Sequence, residues 1–273
     1  MKRYLVSFAD SRMKKALLRL RRQAEEINFF DSIILLTEHE LDADFLKRFE
    51  HLLSPQVRGF GYWLWKPYII KTLLDTLETD DELYYLDAGC HINPRGRNRM
   101  LDYAQALKES KTGIVAFELD DWCSELRFSK MDLLQHMNVH KSPHITETGQ
   151  ICATHVFCRK NSKSTAFLNE WLNTCYNLHL IDDSPSAATN HPAFIEHRHD
   201  QSVFSILGKL NRITTLPGNE TWPANNTRDW STMNNYPIWD KRDLGWNSHL
   251  LYRAIRKVKK LLQKFRKKIN LHK

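Results

Sequence analysis

Glycine is scarce in this chain, at nine of 273 residues. That count excludes a scaffold of Gly-rich turns, and it makes any glycine at the end of an apolar run a position to explain. Cysteine is scarce and odd in number, at positions 90, 123, 152, 158 and 175 with no CxxC pair. Such spacing indicates no disulfide framework, and a reducing compartment is the simpler setting. No apolar stretch approaches the roughly 18 to 20 residues of a membrane span. The apolar part of "MKRYLVSFADSRMKK" is also too short for a signal peptide and is cut by Asp10. The chain is therefore expected in the cytoplasm.

What the chain has is length for a full core, with 13 Phe, 9 Tyr and 8 Trp to fill it. Its formal charge of +8 implies an anionic partner of some kind. "RYLVSF" reads as a buried first strand, and Asp10 or Ser11 is placed to cap a helix in which Met13, Leu17, Leu20, Ala24 and Ile27 recur at helical spacing. "SIILLT", "ELYYLD" and "GIVAFEL" read as further strands separated by helical stretches. This alternation predicts an α/β fold with a mainly parallel central sheet flanked by helices. Ligands of such sheets bind at the carboxyl ends of the strands, where Asp10, Asp87 and Asp120 or Asp121 fall. A helix is expected over 66–77, a strand after Gly149, a helix over 164–180, an irregular loop over 181–194 and another helix from "HDQ". The Asn-, Pro- and Trp-rich stretch "TLPGNETWPANNTRDWSTMNNYPIW" lacks periodicity and reads as a folded loop region.

The division expected is a main domain over 1–248 and a basic amphipathic C-terminal helix over 249–273. No acidic residue follows Asp243, and Leu251, Ala254, Ile255, Val258, Leu261, Leu262, Phe265 and Ile269 form one apolar stripe. Such a helix either lies on an anionic membrane surface or packs its stripe on the core; the membrane reading is the one carried forward. No nucleic-acid module accompanies the basic residues, so nucleic acid is not expected as a partner.

Three clusters carry candidate chemistry. In "YYLDAGCHIN" (84–93) a strand delivers Asp87, and Ala88 and Gly89 leave room for a ligand to approach the backbone. A carboxylate there suits a ribose hydroxyl or a divalent cation bridging phosphates. His91 reads as a contact at the site's rim, whereas Cys90 reads as packing, as do Cys152 and Cys158 around His155. In "RGFGYWLWKP" (58–67) the cations Arg58 and Lys66 flank an aromatic wall that includes Trp65, which suits the charge and faces of a sugar diphosphate. "EHRHDQS" (196–202) sets His199, Asp200 and Gln201 before a helix; its spacing matches no zinc motif, and the carboxylate and amide suit adjacent sugar hydroxyls.

Together "YLVSFADSR", "RGFGYWLWKPYII", "YYLDAGCHIN" and "RHDQSVFS" resemble bacterial nucleotide-sugar glycosyltransferases of capsule or lipopolysaccharide O-antigen assembly, with the GT-A fold. The resemblance spans about residues 3–207. It implies a nucleotide-sugar donor, UDP-sugar favoured, with Asp10 near the base or ribose, and a glycan acceptor that is lipid-linked at the inner membrane face. It maps the family's strand-end aspartate motif onto Asp87, where manganese or magnesium would sit. The chain departs from the motif: it reads Asp87, Ala88, Gly89, without the second acid. Either Asp87 holds the metal with a downstream histidine, or Lys66 and Arg58 neutralise the diphosphate without one. "HDQ" resembles the aspartate-glutamine pair of retaining enzymes, placing Asp200 and Gln201 at the donor sugar; an inverting enzyme would instead need a base, for which Asp120, Asp121 or Glu118 are placed.

Overall fold

In the computed structural model, which describes residues 1–223 and 227–243, the chain builds six strands into one sheet. These are β1 (Arg3–Phe8), β2 (Ser32–Leu36), β3 (Glu82–Leu86), β5 (Ile114–Glu118), β6 (Ile151–Arg159) and β7 (Thr214–Pro217), in the order β2-β1-β3-β6-β5-β7. Two short strands, β4 (His91–Ile92) and β8 (Ile238–Trp239), pair antiparallel beside it. Five strands of the large sheet run one way. Only β6 runs against its neighbours β3 and β5. The α/β architecture with a mainly parallel, helix-flanked sheet is thus present, in the form expected of a GT-A-like fold.

Burial explains the strand sequences. Every residue of β3 is buried, because helices cover both faces of a central strand and leave no side for polar residues. On one face the helices Trp65–Thr76, Ser162–Cys175 and His199–Asn211 close a core containing Leu64, Leu83, Trp171 and Phe204. On the other, Lys14–Ile27 and Arg97–Glu109 cover Leu5, Tyr84, Phe117 and Phe157. Helix Lys14–Ile27 buries Ala16, Leu17, Leu20, Ala24 and Ile27, one stripe of the predicted spacing. Asp10 does cap, but it caps a short 3-10 turn, Ser11–Met13, by accepting from the Arg12 N–H.

The chain reverses its lateral direction at β1. From there it first adds β2 on one side and then β3 on the other, so the crevice beyond the carboxyl ends of β1 and β3 is a topological switch point. One irregularity lies nearby: Val115 faces Phe157 and Phe117 faces Cys152, so β6 spends extra residues across from β5. An irregularity of this kind locally bends and twists the strand that carries it.

In the described part of the Trp-rich stretch Trp222 meets Trp230 edge to face at a centroid distance of 5.5 Å and Trp230 lies tilted against Trp239 at 6.1 Å, and the stretch ends in β8. β7 lies inside what the sequence suggested was loop. The expected basic helix over 249–273 lies outside the described residues. Among the described residues no helix is long and apolar enough to cross a membrane.

Candidate functional site

The switch-point crevice is walled by the segments that leave β1 and β3. Asp87 is the first residue beyond β3, and its N–H donates to Thr154 O at 2.9 Å, which fixes the tip of the strand to β6. Helices Trp65–Thr76 and His199–Asn211 begin near this edge and bring Lys66 and Asp200 to it in their first turns.

These three side chains form one cluster. Lys66 Nζ lies 3.1 Å from Asp87 Oδ1 and 3.4 Å from Asp200 Oδ2, and it donates to Ala153 O at 3.1 Å. The Tyr85 hydroxyl donates to the same Asp87 Oδ1 at 2.7 Å. The Lys66 side chain is 4% exposed and that of Asp87 28%, so the carboxylate is the member of the pair open to solvent. Burial pushes the Asp200 carboxyl up to about 7 against the pull of Lys66, with Asp87 adding to the rise. The two carboxylates hold Lys66 charged despite its burial. Asp200 therefore takes up or releases its proton near neutrality, and the cluster carries zero or one negative charge accordingly.

Lys66 reaches this position through a strained turn. Gly59, Phe60, Gly61, Tyr62 and Trp63 all have positive φ, between 54° and 97°. A left-handed conformation costs about 1–2 kcal/mol for each non-glycine residue. Packing and hydrogen bonds hold it: Tyr62 N donates to Arg58 O at 2.7 Å, Trp65 Nε1 to Gly59 O at 3.0 Å, and Tyr62 and Trp63 lie against the His199 ring. Such strain concentrates at functional sites. Here it starts the helix that carries Lys66.

Beside the cluster runs a strap, residues 238–243. Asp243 N donates to Gly89 O at 3.0 Å, and Arg19 pairs with Asp243 at 3.2 Å. His91 sits between Gln23 and Asp243, at 3.2 Å from each, and burial with the nearby Arg19 and Lys241 holds its imidazole down to about 4, hence neutral. Under the strap, His155 Nε2 meets Asp240 Oδ1 at 2.5 Å, and the Cys90 thiol donates to the same oxygen at 3.5 Å.

The remaining candidates scatter around this centre. Gln201 lies one residue from Asp200, with Oε1 accepting from Ala153 N at 3.4 Å and Nε2 donating to Gln150 Oε1 at 2.9 Å. Asp10 is bound by Arg12 at 2.7 Å and so is committed to its own turn. Arg58 pairs with Asp183 and Glu196 rather than with Lys66 or Asp87. Trp65 is buried against Phe8 at 4.1 Å and serves as core. His199 is buried with Nδ1 on Ile181 O at 2.6 Å. Asp120 and Asp121 are exposed beyond β5, two strands from β3, and Asp121 Oδ1 accepts from Gly149 N at 3.1 Å. Tyr85, His155 and Asp240 were not singled out, and only Tyr85 had a signal: it stands on the strand that delivers Asp87, two residues before it.

Asp87 fits poorly as the seat of manganese or magnesium. A Cβ on Gly89 would lie 3.2 Å from Arg242 Cα, so the strap backbone fills the space a second acid would need. The oxygen facing the cluster is already shared by Lys66 and Tyr85, and a divalent ion there would meet the ammonium's charge.

No protein-family model and no curated protein matches the chain. Solved structures similar to it include a glycosyltransferase involved in the glycosylation of the major capsid of PBCV-1, at 10% identity and TM-score 0.47, covering 88% of this chain and 94% of that one. Mouse xyloside xylosyltransferase 1 in its apo form is similar at 12% identity and TM-score 0.45, covering 87% and 97%. The galactosyltransferase LgtC, in complex with donor and acceptor sugar analogs, is similar at 12% identity and TM-score 0.43, covering 86% of each chain.

Proposed function

We propose that the chain is a glycosyltransferase that moves a hexosyl or deoxyhexosyl group from a nucleotide-diphosphate sugar, a UDP-sugar in the first instance, to a glycan hydroxyl. The observation that carries this reading is the convergence of Lys66, Asp87 and Asp200 at the carboxyl edge of the sheet, beside its switch point. Two carboxylates and a buried ammonium suit a reaction in which positive charge grows on the anomeric carbon while negative charge grows on a departing diphosphate. Asp200 and Gln201 face the sugar. Asp87, the solvent-facing member of the cluster, meets the donor's ribose, and the buried Lys66 behind it fixes its position and offsets the charge of the two carboxylates.

The stereochemical reading is retention, with the acceptor proton taken by the departing phosphate and no carboxylate needed as base. A specific observation favours the alternative as well: Asp120 is exposed past β5 with no side-chain cap bond, free to serve as base in an inverting reaction. The anomeric configuration of the product, read by NMR, separates the two. The acceptor proposed is a lipid-linked or lipopolysaccharide-type surface glycan, reached at the membrane through the basic residues of 249–273. Equal flotation with anionic liposomes of the full chain and of one ending at residue 248 would defeat that anchor.

The first experiment is a thermal-shift panel of UDP-, GDP-, CMP- and TDP-sugars, since a ligand bound only by the folded chain raises its stability. Asp87→Ala and Asp200→Ala should keep the fold and lose donor hydrolysis and transfer. Turnover like wild type in both would overturn the site.

A further inference from the structure

Cys90, His155 and Asp240 come from three separate elements to one point under the strap. Their ligand atoms all lie within 4.8 Å of one another, with Cys90 and His155 buried. Cys90 closes the turn that follows β3, its N–H donating to Asp87 O at 2.9 Å. His155 lies on β6 opposite Leu86 of β3, and Asp240 follows β8. We propose that these three side chains bind a zinc ion, which clamps the 238–243 strap to the tip of the sheet.

The donor set fits that ion. Thiolate, imidazole and carboxylate are the ligands zinc prefers, and three of them from the protein leave a fourth position for water. A thiolate ligand disfavours manganese and magnesium, which take oxygen. The spacing fits too. His155 Nε2 to Asp240 Oδ1 is 2.5 Å and Cys90 Sγ to the same oxygen is 3.5 Å, so movements of under about 1 Å would set all three at zinc-ligand distance.

Charge supplies a further argument. A zinc ion with one thiolate, one carboxylate and a neutral imidazole sums to zero, which suits a largely buried site. On binding, the Cys90 S–H bond breaks, a sulfur–zinc bond forms and that proton leaves to solvent; the imidazole stays neutral by carrying its proton on Nδ1. His155 Nδ1 makes no hydrogen bond and takes the proton that Nε2 gives up when that nitrogen turns from Asp240 to zinc. Thr221 Oγ1 donates to Asp240 Oδ2 at 3.1 Å and holds the carboxylate from behind, as second-shell groups orient metal ligands.

This inference does not depend on the transfer reaction. Its test is cobalt substitution of the purified full chain, followed by absorption. A sulfur-to-cobalt charge-transfer band is expected in the wild type, absent in Cys90→Ser, and in Asp240→Asn reached only at much higher cobalt concentration. Asp87→Asn should keep the band; its loss there would place the metal elsewhere and overturn the assignment. A chelator should lower the melting temperature of the wild type and leave that of Cys90→Ser unchanged. Folded wild type, checked by circular dichroism, that shows neither a band nor a zinc-dependent melting temperature would also overturn it. Donor binding by thermal shift is read separately, so either idea can fail alone.

Discussion

Gly89 and Arg242 stand so close that a Cβ on the glycine would lie 3.2 Å from the arginine's Cα. The contact is backbone against backbone, so it does not yield by a side-chain rotation. Gly89→Asp, which would restore a pair of acids after β3, is expected to destabilise the chain by about 1–3 kcal/mol. It should also expose the Asp243 amide to hydrogen exchange, because that amide donates to Gly89 O. An unchanged exchange rate would show that the strap is not seated there.

Lys66 stands between two carboxylates, and its removal leaves them facing each other in a buried site. Lys66→Met should cost about 3–5 kcal/mol in denaturant unfolding, the range for breaking a buried pair. The double variant Lys66→Met with Asp200→Asn should recover a large part of that loss. Additive losses in the two single variants would show that the groups are not coupled.

The Asp200 carboxyl has an ordinary value of 3.8 and sits at about 7 in the folded chain. Between those values the folded state holds a proton that the unfolded state has released. This group's contribution to stability is therefore full below about 4 and declines as pH rises toward 7. Asp200→Asn removes the decline, so the stability of the variant relative to the wild type should rise with pH across that window. Parallel curves would contradict the burial effect.

At Gly61 the backbone has φ of +97°, and an added Cβ would lie 3.1 Å from Leu53 Cδ2. Gly61→Ala should lower stability by roughly 1 kcal/mol or more. If the left-handed turn sets the position of Lys66, donor binding should weaken more than a distant variant of equal stability loss would explain. Equal weakening in both would make the turn a purely structural element.

Local patterns made much of the fold legible. The all-apolar β3 and the stripe from Leu17 to Ile27 report burial directly, and both elements formed where the residues indicated. The direction of β6 was not legible, since alternation along a strand is the same whichever way it runs. β7 was hidden because "TTLP" is four residues long and runs straight into Pro217 and Gly218, which read as loop. In the site, Asp87 and Asp200 were visible by their places beside a strand and a helix. The burial of Lys66 was not, because a lysine near aromatics reads as a cation open to ligands until its carboxylate partners are placed in space. His155 had no signal either, because its partner Asp240 lies 85 residues away in the chain and only the fold brings the two together.

The reversed strand has a consequence for how the protein is made. β3 and β5 never touch in the finished sheet, because β6 lies between them. A growing chain that has emerged only as far as residue 150 carries both as open edges, parallel to each other and free to pair wrongly. Insertion of β6 covers the open edge of β3 and the facing edge of β5 in one event, and the other edge of β5 waits for β7, so the stretch from 151 to 159 acts as a keystone. Synthesis that pauses just before it leaves the nascent chain at its most aggregation-prone.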